Sequence, residues 1–307
     1  MEKPVIGFIG VGLMGHGMAK NILKGGYDLV VMGHRNRTPV ESLLGMGASE
    51  AATPKDMAGR CDIIHLCLPN STLVEATIRG PDGILAGARD GLIVIDTTTA
   101  DPTSTMALAE EMAGREVHMV DAPLGRTPKE AEEGMLDAMV GASDEHFAVV
   151  QPVIDCWAGS VNHLGPVGSG HKMKLIMNFM GMSYAAIYSE ALSMAVKSGL
   201  SPQTVRDVMG PSRMGCGFFD TFMAYAVGRD PNAHKFTIEN ASKDVRYVAN
   251  MATAAGVMNL MGAAVKNYFG QAEAVGKGGD YVPTMADHIA ALNGVDLAEA
   301  VKRGESG

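Results

Sequence analysis

The stretch that most constrains this chain is Val5-Ile-Gly-Phe-Ile9, followed at once by Gly10-Val-Gly12-Leu-Met-Gly15 and a helix-forming run to about Lys24. A short apolar strand, a turn with G-x-G-x-x-G spacing and a helix are the three parts of a dinucleotide-binding βα unit. Gly10 permits the tight turn, Gly12 lets the backbone approach a pyrophosphate, and Gly15 lets the helix pack closely on the strand. The helix N-terminus then offers N–H groups and the positive end of its dipole to an anion. The same spacing also occurs in βα turns that bind nothing, so the sequence that follows has to be weighed with it.

That sequence keeps alternating. Apolar strand patterns near residues 29–32, 63–68, 93–96 and 117–120 are separated by helical patterns such as 73–78 and 103–112. Two more short strands, near 138–140 and 161–163, flank a helix at 144–154. Strands spaced by helices predict a parallel sheet covered on both faces. From Gly168 onward strand signals stop and helix patterns follow one another, with Ser201-Pro202 reading as an N-cap and first-turn pair. At 307 residues the chain exceeds one average domain. The expected fold is α/β: a doubly wound Rossmann-type sheet over residues 1–165, then an all-α domain over 166–307, joined by a long interdomain helix. No internal repeat or low-complexity segment interrupts it.

The joining helix starts at Gly168-Ser-Gly-His-Lys-Met-Lys174-Leu-Ile-Met-Asn178 and keeps helical composition to about Lys197. Lys174 and Asn178 are four apart, so they project from one face. Met173, Leu175, Ile176, Met177, Phe179 and Met180 surround them, which predicts a helix apolar nearly all round and therefore buried. Near a helix start the macrodipole and partial burial both disfavour an ammonium, which makes Lys174 a candidate proton donor. A lysine that snorkels or pairs with a carboxylate is the plainer reading.

In a dinucleotide fold the end of the second strand meets the adenosine ribose, where an acid accepts bonds from the hydroxyls of NAD. Here that segment is Met32-Gly33-His34-Arg35-Asn36-Arg37-Thr38, without an acid. Two guanidinium forks suit the extra phosphate of NADP instead, so NADP is expected, with NAD possible. His34 occupies the acid's position and could stack or hydrogen-bond.

Composition closes off other classes. With 25 Lys and Arg against 34 Asp and Glu, a net charge of -9 and no basic cluster, nucleic acid is not an expected partner. Cys61, Cys67, Cys156 and Cys216 are scattered, with neither a C-x-x-C pair nor matching histidines, and read as free thiols with no metal site. The sequence shows no signal peptide and no membrane-spanning apolar run, so the expected location is the cytoplasm. Twenty-three methionines beside one tryptophan read as adaptable core filling.

Taken together, Gly10-x-Gly12-x-Met14-Gly15-x-x-Met18-Ala19-x-Asn21, Asp121-Ala-Pro123, Gly168-x-Gly170-x-x-x-Lys174-x-x-x-Asn178 and Lys243-Asp244 resemble the β-hydroxyacid dehydrogenases, the 3-hydroxyisobutyrate dehydrogenase-related family. The resemblance spans essentially the whole chain. It implies that Lys174 is the general acid or base and that Asn178 orients it and the substrate. It also implies that Lys243 approaches the nicotinamide end and that Leu13, Met14, Leu68 and Thr99 line the cofactor. Many members carry Ser-Gly-Gly after Asp-Ala-Pro-Val, whereas this chain has Leu124-Gly125-Arg126-Thr127. That variant resembles the sulfolactaldehyde reductase branch, and an arginine fork there suits a carboxylate or a sulfonate.

The expected activity is NADPH-dependent, reversible reduction of a short aldehyde bearing a terminal acid group, such as sulfolactaldehyde or succinic semialdehyde. The expected partner is a small anionic aldehyde or hydroxy acid, and the resemblance implies a homodimer or homotetramer. A dehydrogenase of the 3-hydroxyisobutyrate or tartronate semialdehyde type is the near alternative. Imine reduction and a non-catalytic nucleotide-binding role are more distant ones: the first fits poorly with Lys174, the second with Lys174, Asn178 and Lys243 standing together.

Overall fold

The computed structural model describes residues 3–305. The first half builds one parallel sheet from β1 (Ile6–Ile9), β2 (Leu29–Met32), β3 (Ser49–Glu50), β4 (Ile63–Leu66), β5 (Ile93–Asp96) and β6 (His118–Asp121). Their order is β3-β2-β1-β4-β5-β6. The chain winds outward from β1 to β3, returns to pair β4 with β1, and winds the other way. The switch point between β1 and β4 is where open α/β sheets bind ligands, beyond the carboxyl ends of the strands.

Each strand divides its side chains between two cores with a period of two. Ile6, Phe8, Leu29, Val31, Ile63, Ile93 and Ile95 face one side, packed with Met18, Ile22 and Trp157. Ile9, Val30, Ile64, Leu66 and Val94 face the other, packed with Met57, Val74 and Leu108. Burial on both faces is why these strands read as continuous apolar runs.

The strand patterns near 138–140 and 161–163 belong to a separate small sheet. It consists of β7 (Leu124–Gly125), antiparallel to β8 (Leu136–Val140), which in turn pairs in parallel with β9 (Ala158–His163).

The chain divides into two compact units, one ending at Lys174 and the other beginning at Leu175. In the second unit, helices Pro202–Met209, Gly217–Ala226, Ile238–Ala254, Leu260–Ala272 and Met285–Leu292 contribute to a core that includes Phe219, Phe222, Phe269 and Ile289. Ser201 caps the first of them, its Oγ accepting the Thr204 N–H at 3.1 Å. No helix among the described residues is long and apolar enough to cross a membrane.

The helix Ser169–Lys197 is 29 residues long and runs from one unit into the other. Its expected all-round burial does not hold. Leu175 and Met182 are buried, whereas Met173 is 39% exposed, Ile176 45%, Met177 50% and Met180 48%. Packing uses one stripe of the helix, as amphipathic helices do, and the remaining apolar side chains are left outside it. Lys174 and Asn178 are half-buried.

Candidate active site

The glycine turn at the carboxyl end of β1 has the geometry its spacing predicts. Gly10 has φ of 100°, and a Cβ there would overlap the Cys67 carbonyl oxygen on the neighbouring chain segment. A Cβ on Gly15 would overlap the Gly10 carbonyl, so the helix can start this close only with glycine. At Gly12 a Cβ would meet nothing within 4 Å, which leaves open space against the backbone. Helix Gly15–Lys24 has no acid in its first turn and no side-chain cap, and its His16 N–H donates to the Gly12 carbonyl at 3.0 Å. A dinucleotide pyrophosphate fits this arrangement. Leu13 is 83% exposed and Met14 is half-buried beside it.

Across the switch point the loops after β4 and β5 are stitched together. Thr98 Oγ1 accepts the Leu68 N–H at 3.0 Å, Asp96 Oδ1 accepts the Thr98 N–H at 2.9 Å, and Ser71 Oγ accepts the Asp101 N–H at 2.7 Å. Leu68 and Thr99 are therefore held at the carboxyl edge, both half-buried.

After β2, His34, Arg35, Asn36 and Arg37 are all exposed. The two arginines differ in their surroundings. Arg37 makes a two-pronged bond to Glu50, Nη1 to Oε1 at 2.6 Å and Nη2 to Oε2 at 2.9 Å. That contact holds the Glu50 carboxyl below the usual carboxylate range. The end of β2 lacks an acid along the chain, yet β3 brings one beside it.

The start of the Lys174 helix is tied to the same edge of the sheet. Asp121, the last residue of β6, is fully buried and accepts the Gly168 N–H at 2.5 Å with Oδ1 and the His171 N–H at 2.7 Å with Oδ2. Gly168 has φ of 91°, and a Cβ on Gly170 would overlap the Met139 carbonyl oxygen. One face of the first helical turn thus lies directly on β6 and β8. His171, also fully buried, bonds Thr105 Oγ1 through Nδ1 at 2.8 Å and has Nε2 3.9 Å from Asp96 Oδ2. Burial pushes the Asp96 carboxyl up, against the opposing pull of His171.

The Gly125-Arg126-Thr127 segment leaves β7 with Arg126 at φ of 77°, a left-handed conformation unusual for a non-glycine residue. Arg126 donates from Nε to Asp137 Oδ2 at 3.0 Å, and its terminal nitrogens make no hydrogen bond among the described residues. Thr127 caps helix Pro128–Glu133 in a reciprocal box with Glu130, so its hydroxyl is already engaged.

In the second unit, Asn178 Nδ2 donates to Asp244 Oδ2 at 2.6 Å, and Lys243 Nζ lies 3.2 Å from Asp244 Oδ1. Asp244 is 1% exposed and gathers both residues the sequence put forward. Asp244 and Asp121 were visible only as motif letters; their bonds join residues 66 and 50 positions apart, which local pattern cannot show. Among the described residues no group of three or more His, Cys, Asp and Glu could hold a metal ion.

A doubly wound sheet with an open glycine turn at its switch point, followed by a helical unit, is the architecture of a dinucleotide-binding protein. The comparisons narrow it. Residues 5–165 match the family profile described as the NAD binding domain of 6-phosphogluconate dehydrogenase, and residues 168–293 match the NAD-binding domain of NADP-dependent 3-hydroxyisobutyrate dehydrogenase. The chain belongs to the β-hydroxyacid dehydrogenase family.

It is 36% identical over 213 residues to 2-(hydroxymethyl)glutarate dehydrogenase of Eubacterium barkeri, covering 69% of this chain and 70% of that one. It is 32% identical over 273 residues to 3-sulfolactaldehyde reductase of Escherichia coli strain K12, covering 89% and 91%. The fold is shared with Mycobacterium tuberculosis 3-hydroxyisobutyrate dehydrogenase at a TM-score of 0.84 and 22% identity, over 94% of this chain and 99% of that one.

Proposed function

We propose that this enzyme reduces a short aldehyde bearing a terminal acid group, preferring NADPH and running reversibly, with residues 1–165 as the NADP-binding domain and 166–307 as the substrate and oligomerisation domain. The chain would act as a homodimer or homotetramer. The observation that carries the reading is the way Asp121 ties the first turn of the Lys174 helix to the carboxyl edge of the sheet that holds the glycine turn. A general acid held at that edge is within the region where this fold presents its cofactor.

A bound nicotinamide supplies the hydride in reduction and takes it up in oxidation. Lys174 gives the Nζ proton to the carbonyl oxygen as that oxygen gains charge, and removes the hydroxyl proton in the reverse direction. Asn178 orients the lysine and the substrate, while Lys243 stands toward the nicotinamide end. Gly10, Gly12, Leu13, Met14 and Gly15 cradle the cofactor with Leu68 and Thr99, and His34, Arg35, Asn36 and Arg37 surround the adenosine ribose. In the loop Gly125-Arg126-Thr127 the arginine holds the acid group, which fixes the distance from anchor to carbonyl, while Thr127, bonded to Glu130, shapes the loop. The terminal nitrogens of Arg126 are the donors left for this, since its Nε is on Asp137.

The likeness to 3-sulfolactaldehyde reductase over 91% of that protein favours a sulfonate or carboxylate aldehyde over a neutral one. The test is a panel of sulfolactaldehyde, succinic semialdehyde, methylmalonate semialdehyde and tartronate semialdehyde, each with NADPH and NADH. Turnover confined to neutral aldehydes would end the acid-group reading.

A further inference from the structure

We propose that Glu50 sets the choice between NADP and NAD in this chain, by holding Arg37 in a neutral fork and placing a carboxylate at the 2′-phosphate subsite. The inference rests on reading residues 33–38 as the adenosine ribose loop, as in the preceding section.

The position of Glu50 is fixed from its backbone outward. β3 pairs in parallel with β2, setting Glu50 opposite Val31, and the Ala51 N–H donates to the Val31 carbonyl at 2.9 Å. Arg60 pins the strand from the other side, donating to the Glu50 carbonyl at 3.1 Å and to Ser49 Oγ at 3.2 Å. From there the carboxylate lies over Gly33, where a Cβ would come within 2.6 Å of Oε1 and would overlap Arg37 Nη1. The Arg37–Glu50 pair is thus laid against the backbone just past the end of β2, the point at which a dinucleotide fold meets the ribose.

The Glu50 carboxylate taken by itself works for two ribose hydroxyls and against a phosphate, in opposition to the arginines beside it. A carboxylate accepts hydrogen bonds from hydroxyls, and it repels a phosphate dianion brought to the same place. For a 2′-phosphate to gain the Arg37 fork, Glu50 has to give it up. Arg60 offers no replacement, since it is shared with Asp56 at 3.3 Å. Arg35, exposed and without a carboxylate partner among the described residues, is the guanidinium left to meet a phosphate. Glu50 therefore reduces an NADP preference that two arginines alone would make strong.

The test is direct cofactor binding by isothermal titration to the full chain, comparing wild type with Glu50→Gln, which keeps the shape and an acceptor for the loop but removes the charge. NADPH should bind about 3- to 10-fold tighter to Glu50→Gln, the scale of an exposed ion pair released plus a repulsion removed, while NADH stays within about twofold. Measured in an Arg37→Ala background, the gain from Glu50→Gln should shrink to the part owed to the repulsion, and raising the salt should shrink it further. Unchanged NADPH affinity, equal tightening of both cofactors, or a gain undiminished in the Arg37→Ala background would each overturn the proposal. Arg35→Ala in the wild-type background separates the two levels. If it leaves the ratio of NADPH to NADH affinity unaltered, the ribose-loop reading falls and the Glu50 proposal with it.

Discussion

Asp121→Asn is the sharpest probe of how the fold positions Lys174. The carboxylate of Asp121 is acceptor at both oxygens and receives two N–H groups, those of Gly168 and His171, in a fully buried position. An asparagine keeps the volume but offers one oxygen, so its amide NH2 must confront the second N–H donor. The loss of one charge-assisted bond costs about 1.5–3 kcal/mol, and a buried donor left unmatched about 1–3 kcal/mol more. Some of this is recovered by relaxation, which leaves roughly 2–5 kcal/mol. For a unit of this size each kcal/mol lowers the midpoint by about 2–4 °C, so a fall of about 4–20 °C is expected in thermal unfolding followed by circular dichroism. The same substitution loosens the first turn of the Lys174 helix, and kcat should fall roughly 10- to 100-fold as the proton donor loses its fixed position. Affinity for the cofactor, set by the glycine turn and the loop after β2, should hold. A midpoint within about 2 °C of wild type would refute the account of this helix start.

Lys174→Ala should lower kcat by roughly 100-fold or more while NADPH affinity changes little, checked by initial rates and titration; retained turnover would remove the general-acid assignment. Arg126→Ala should raise KM for acid-bearing aldehydes, with kcat/KM down on the order of 10- to 100-fold, and leave neutral aldehydes of similar size nearly unaffected. Arg126→Lys should recover only part, since it keeps the charge without the planar fork. His65, buried on β4 against Phe8 and bonded by Trp157 Nε1 at 3.4 Å, has its pKa pushed down to about 3 by burial. Unfolded, it would take up a proton near pH 6.5, so the unfolded state binds more protons between these values. This group's contribution to stability therefore falls as pH drops below about 6.5, by up to ~1.4 kcal/mol per unit, and Glu or Asp titrations add their own slopes. Urea unfolding of wild type and His65→Gln from pH 7 to pH 5 isolates the effect; parallel losses in the two proteins would contradict it.

What the sequence shows well is whatever neighbours along the chain decide. The helices Gly15–Lys24 and Asp144–Ile154 and the strands β2 and β5 fall where their periodicity puts them, because each buries a regular face. Strands β3 and β7, two residues each, carry no pattern; their partners define them. The same limit governs the candidate site. Reading residues 32–38 correctly finds no acid, yet Glu50 arrives there from the adjacent strand, a placement set by sheet register. The all-round apolar start of the long helix predicts burial, yet Ile176, Met177 and Met180 are exposed, because composition does not say which stripe of a helix finds a partner. Asp121 and Asp244 acquire their bonds only through folding, the first to the helix start and the second to Asn178.

Three cations among the candidate binding residues sit against an acid: Arg37 on Glu50, Arg126 on Asp137 and Lys243 on Asp244. In a chain with a net charge of -9, this pairing means that no large positive field draws an anion in from a distance. The partner acids do something else, because they hold each cationic head in one orientation and so reduce the entropy lost when an anion binds. Arg126 shows the arrangement most clearly. Its Nε edge is fixed by Asp137, its backbone is held in a left-handed turn, and Thr127 next to it closes the following helix. If Arg126 is the anchor proposed for the acid group, its terminal nitrogens present a set direction to it. On the proposed function, recognition built this way would select by length and geometry more than by charge at long range.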